Sequence, residues 1–378
     1  MSTFHAQSSL KHSPVHRVQV LSSTHGQWQQ RGGIHKALLT SLLLLGVGLS
    51  SGNPVGAEVP SFALSAEGFT TAADVRPHNR LSLDIAEINA ALTAFPPDYS
   101  AALQRYAFGR YFNWRDSSHS LAFFADDYQG RMPRTLPGAM ALGWDPTFQH
   151  QFLTSALMGT GAFSGQNQRR SLPDAARIAA IQSGILATVL NWCRLELTEA
   201  SIRGPQNDNW SLANGSPKNW SELFAFWYGV EGRNSLHEEM SRISNRFGLP
   251  EHPTQRVTQP LAAGQPALLE KRWPETEATS VQEALDVAAL LLFLDRVADL
   301  DAAVAAGGDT ALAAQWSLRG AWLAAGDTFG RANPEEGKVL HDALGSAEEF
   351  PDASTLKQAV NQAIDQLALP RDAFGSAI

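Results

Sequence analysis

Hydrophobic residues recur three and four positions apart along most of this chain beyond residue 80. In "LSLDIAEINAAL", Leu81, Ile85, Ile88 and Leu92 fall on one helical face. "PPDYSAALQRYAFGRYF" (96–112) opens on prolines, with Asp98 placed to cap a helix. Residues 146–161 begin with Pro and end with Gly, the usual asymmetry of helix ends. The longest apolar stripe runs from Pro173 to Gly204, through Ile178, Ile181, Ile185, Val189, Trp192 and Leu195. "SELFAFWYGVEG" predicts a helix with Ser221 as its cap. Residues 280–308, 310–330 and 352–370 complete the helical pattern, and alternating β-branched runs are nearly absent. The expected fold is an all-α helical bundle.

One stretch interrupts this pattern. Residues 251–280 are rich in Pro, Thr and Gln and read as a linker. It divides a helical half at 58–250 from a second half at 281–378 that packs on the first. The halves are similar in outline, each a long apolar helix followed by one carrying Trp and Gly.

Residues 1–57 carry Lys11, Arg17, Arg31 and Lys36 and no acidic residue, then the apolar run Ala37–Leu49 and a small-residue exit. These are the parts of a secretory signal peptide, with cleavage expected after Ala57. The run falls short of the roughly 20 apolar residues that span a bilayer. The reading is therefore a periplasmic or extracellular protein, not an integral membrane one. Removal of the four basic residues takes the net charge of −8 to −8 − 4 = −12. An acidic balance disfavours nucleic acid and suits cations. The single cysteine, Cys193, rules out an intrachain disulfide and sits on an apolar helical face. It reads as an inert buried thiol.

No strong catalytic motif is present. The chain lacks GxSxG, a Walker loop, and a GxGxxG entering a helix. "HEEMS" begins like a zinc-protease motif, but Ser241 stands where the second His is needed. No enzymatic activity is expected. What remains is oxygen-ligand chemistry, in which carboxylates on neighbouring helices converge on a hard cation with one or two His. Glu196 and Glu199 share a helical face, with Arg194 and Arg203 able to pair with them. Glu222 and Glu231 flank the aromatic run 220–228, whose Trp220, Phe224 and Trp227 form a core stripe. His119 lies one face-repeat from Asp126, and His237 follows the aromatic helix. The candidate metal ligands are Glu196, Glu222, Glu231, His237 and His119.

Three stretches resemble a known family, the iron-assimilating, low-iron- and high-CO2-induced periplasmic proteins of green algae and their cyanobacterial relatives. They are "DVRPHNRLSLDIAEINAALTAFPPDYSAALQRYAFGRYF" (74–112), "NWCRLELTEA" (191–200) and "SPKNWSELFAFWYGVEGRNSLHE" (216–239). The third is the distinctive one. Glu196, Trp220, Glu222 and Gly229 sit at matching positions, whereas Ser221 stands where the family usually has an acid. The resemblance implies an exported helical protein that assists iron uptake by holding iron, with a cell-surface iron transporter or reductase as partner. A metal-free alternative stays open: a binding or scaffold protein that takes a small organic ligand or a protein in a groove of Trp114, Trp220, Trp227 and Trp316.

Overall fold

The computed structural model describes residues 63–114, 117–126, 130–164, 172–345 and 350–378. The expected signal peptide at 1–57 lies outside the described residues. Two short antiparallel pairs, Ser65–Ala66 with Phe69–Thr70 and Asn113–Trp114 with Ser117–Ser118, are strands in an otherwise helical protein. The helices are α1 (Arg76–Asn79), α2 (Leu81–Thr93), α3 (Tyr99–Phe108), α4 (Leu121–Ala125), α5 (Met132–Thr135), α6 (Pro137–Ala141) and α7 (Phe148–Met158). After them come α8 (Asp174–Ser201), α9 (Ser216–Tyr228), α10 (Leu236–Phe247) and α11 (Pro253–Leu269). The chain ends with α12 (Glu275–Val304), α13 (Gly308–Ala332), α14 (Pro334–Gly345) and α15 (Ala353–Gln366). An all-α bundle is therefore the fold.

Local chemistry sets the ends. Asp98 caps α3 by accepting from Ala101 N at 2.9 Å. Gly159, at φ 66°, closes α7 in the left-handed region that spares a Cβ clash. The start of α9 departs from expectation. Gly215 precedes the helix and Pro217 stands in its first turn, so it begins at Ser216 rather than Ser221. Ser221 lies mid-helix, and its Oγ donates back to Pro217 O at 2.9 Å. Beyond α8 the chain continues as a π turn, Ile202–Gln206, before turning back into α9.

The centre of the bundle is α8, crossed by α13 and flanked by α9 and α12. It is long and apolar enough to cross a membrane, but most of its length is buried inside the protein. The crossing with α13 is close because Gly320 has no side chain: a Cβ there would stand 2.8 Å from Ala180 O and Gly184 N. Residues 251–280 hold α11 and the first turn of α12 rather than an extended connection. Val257, Leu261 and Leu268 of α11 are fully buried, which is what draws the segment into the core. All the described residues fall in one compact unit.

Candidate functional site

The C-terminal end of α8 and the first two turns of α9 lie side by side, and each contributes a buried carboxylate. Glu196 and Glu222 are 6% and 7% exposed. Glu196 is held by neutral donors. Trp192, one turn earlier on α8, donates Nε1 to Oε1 at 2.8 Å, and Asn219 of α9 donates Nδ2 to Oε2 at 2.5 Å. The same Asn219 amide reaches Glu222 Oε2 at 3.3 Å, so one side chain bridges the two acids. Glu222 has different company. His78 Nε2 of α1 lies 2.7 Å from its Oε1, and Lys218 Nζ lies 3.4 Å away one turn back on α9. Lys218 also donates to the carbonyl of Asp74.

Aromatic rings wall the pocket. Phe124 packs on Trp192 at 4.2 Å between centroids and on Phe226 at 5.3 Å. Phe112 stands edge-on to His78 at 5.0 Å and to His119 at 5.2 Å. His119 lines the same space as both glutamates, and the cavity is about 60 Å³. That is room for an ion or a water or two, not for an organic molecule.

Two like charges this close cannot both ionise freely. Burial opposes the charge of Glu222, yet the pull of His78 and Lys218 brings it down to about 2. Burial, reinforced by the charge of Glu222, raises Glu196 well above the usual carboxylate range. Burial and the neighbouring charge thus favour the protonated form of Glu196, while the negative charge of the pair is held on Glu222.

One turn on, Glu199 is spent on ion pairs. Arg131 Nη1 lies at 3.0 Å, Arg134 Nη2 at 2.5 Å and Arg203 Nε at 3.5 Å. Arg194, expected beside Glu196, points into the core instead and pairs with Asp286 at 2.9 Å. Glu231 does not reach the pocket: it is exposed in the turn after α9, at φ 54°. His237, in the first turn of α10, faces a separate cluster, with Nδ1 3.0 Å from Thr254 Oγ1 and its ring 5.5 Å from that of His252. His119 and Asp126 do not share a helical face, because the five-residue α4 lies between them. Of the five residues singled out in the sequence, Glu196, Glu222 and His119 are brought together. Among the described residues no three of His, Cys, Asp and Glu are arranged as a metal-ligand set.

The tryptophan groove of the metal-free alternative does not form as expected. Trp220 and Trp227 are fully buried and donate to Leu261 O and Thr254 Oγ1. Trp316 lines a different cleft, and the Trp114 side chain lies outside the described residues.

Lys218, Asn219 and His78 were not singled out by the sequence reading. A trace of the first two was there, since Lys218 and Glu222 are four apart and Asn219 and Glu222 three apart on one helix. No sequence signal ties His78 to Glu222, because α1 meets α9 only through the fold.

Every residue of this pocket lies within the part of the chain that matches a family model, residues 43–244, described as low iron-inducible periplasmic protein. The chain belongs to that family. Nothing among curated proteins or among solved structures matches it. The matched span of the low iron-inducible periplasmic family ends in α10, so α11 to α15 lie beyond it.

Proposed function

We propose that this protein binds iron as cargo in the periplasm, at the Glu196–Glu222 pocket, and serves iron acquisition without catalysing a reaction. The observation that carries this reading is geometric: two buried carboxylates from α8 and α9 line one small cavity together with His78 and His119. Two acids so placed gain from a cation that neutralises both. Carboxylate oxygens suit hard iron, and His78 and His119 supply imidazole nitrogens at the same pocket. The donors fit in kind. Lys218 opposes the fit, because its ammonium contacts Glu222 and must give way when a cation enters. The family's description supports the periplasmic and iron-linked setting. A cell-surface iron transporter or reductase is the proposed recipient.

Equilibrium dialysis of residues 58–378 against ferrous iron under argon, and against a weak ferric chelate, tests the proposal. One saturable equivalent is expected, weakening as pH falls because protons compete for Glu196. The E196Q/E222Q double variant should lose at least about tenfold in affinity. Unaltered binding in that variant would remove the pocket from the account, and no saturable binding at all would remove the function.

A further inference from the structure

A second cavity shares no wall with the carboxylate pocket. It lies between α7, α13 and α14 and has a volume of about 590 Å³. That is within the range of roughly 300–1,000 Å³ typical of sites for organic molecules. Its walls are flat rings. Trp144 packs on Phe148 at 4.3 Å between centroids, and Trp316 and Trp322 stand on the α13 side.

The polar groups here have a defined arrangement. Trp144 Nε1 and Trp322 Nε1 both donate to His341 Nδ1, each at 3.2 Å. Two donors on one nitrogen require its lone pair, so the ring proton sits on Nε2. Burial lowers the pKa of His341 below its ordinary 6.5, which keeps the ring in this neutral form at pH 7. Nε2 is then a donor fixed in orientation, and no hydrogen bond engages it among the described residues. Trp316 is 4% exposed, yet its buried Nε1–H has no hydrogen-bond partner. Arg319 adds positive charge to the same wall, its guanidinium 4.3 Å from the Trp316 ring centre and its Nε donating to Leu344 O at 2.7 Å. The cavity's own carboxylate, Asp145, is already engaged by Thr147 N, Thr147 Oγ1 and Gln151 Nε2.

We infer that this cleft binds a small planar aromatic acid, its ring against the indole walls and its carboxylate accepting from His341 Nε2 beside Arg319. The rings select a flat body, and the His341 Nε2 donor with Arg319 selects an anionic oxygen acceptor. The inference is independent of iron binding at the carboxylate pocket.

Calorimetric titration of residues 58–378 with 2-naphthoate tests it, with 2-naphthamide and cyclohexanecarboxylate as the neutral and non-planar counterparts. Saturable binding of 2-naphthoate is expected, at least about fivefold tighter than either counterpart. His341→Phe, which keeps a flat ring and removes the donor, should weaken 2-naphthoate at least about threefold. Ala162→Trp, placed at the exposed mouth, should abolish it. Melting temperatures and near-UV circular dichroism establish that both variants fold. Absence of 2-naphthoate binding, equal binding of the amide, or binding unchanged in Ala162→Trp would each overturn the assignment.

Discussion

Glu196 and Glu222 share one pocket and titrate in opposite directions because their hydrogen-bond donors differ in charge. Glu222 faces His78 and Lys218, and Glu196 faces an indole and an amide. The depressed Glu222 contributes stability that is complete above its unfolded value near 4.5 and is lost as pH falls toward about 2. The raised Glu196 works the other way: its contribution is complete below 4.5 and declines as pH rises toward its folded value. Glu222→Gln should therefore cost about 3 kcal/mol at pH 7, since it strands the buried His78 and Lys218. Glu196→Gln should cost less than about 1 kcal/mol at pH 5 and gain on the wild type as pH rises to 8. Urea unfolding at both pH values checks the pair; a larger loss from Glu196→Gln at pH 8 would reverse the assignment of the proton. Residue chemistry was legible to this depth only in part. The sequence named both acids but could not rank them, because His78 arrives from α1.

Helix ends and helix crossings carry the element-scale consequences. His252 caps α11 by accepting from Thr254 N through Nδ1 at 3.1 Å, and its Nε2 lies 2.9 Å from Ser241 Oγ. Burial first, then the neighbouring His237, pushes its pKa below 6.5. A depressed histidine contributes stability that is present above 6.5 and lost as pH falls through the folded value. Replacing His252 by Asn keeps a capping oxygen without a titrating ring, and should flatten the dependence of stability on pH between 5 and 7. Replacing it by Ala should cost about 1 kcal/mol at pH 8. Thermal melts across that range distinguish the two.

The α6–α13 crossing depends on glycine. A Cβ at Gly138 would fall 1.9 Å from Asp327 O, and one at Gly330 would fall 2.1 Å from Gly138 O. Backbone cannot yield as a side chain can, so either Gly→Ala change should lose about 3 kcal/mol in urea unfolding. The sequence marked neither glycine, since nothing local distinguishes a glycine at a crossing from one at a surface.

At the scale of the whole molecule, the two expected halves share one interior. Arg194 of α8 donates to Asp286 Oδ1 of α12, Ala324 O of α13 and Thr328 Oγ1 of α13. Arg331 also donates to Asp286. This buried set ties α8 to α12 and α13, and removing Arg194 leaves two carboxylates, Asp286 and Asp327, short of a partner. Arg194→Met should cost about 3–5 kcal/mol. Calorimetry of residues 58–378 should give a single transition, and residues 58–250 alone should not melt cooperatively. Two resolved transitions would show that the halves are separate folding units.

What the sequence determined by itself is periodic or local. The 3.6-residue stripe makes helices of most of the chain, Asp98 caps α3, Cys193 is buried on the apolar face of α8, and Glu196 stands near the C-terminal end of that helix. Such features need a few neighbouring residues and no more. What the tertiary structure decided is every meeting of distant segments: His78 with Glu222, Arg194 with Asp286 rather than Glu196, Trp144 and Trp322 on one histidine, and the burial of α11. Charges and aromatic rings far apart along the chain carry no information about one another until backbone packing sets the distance and excludes the water.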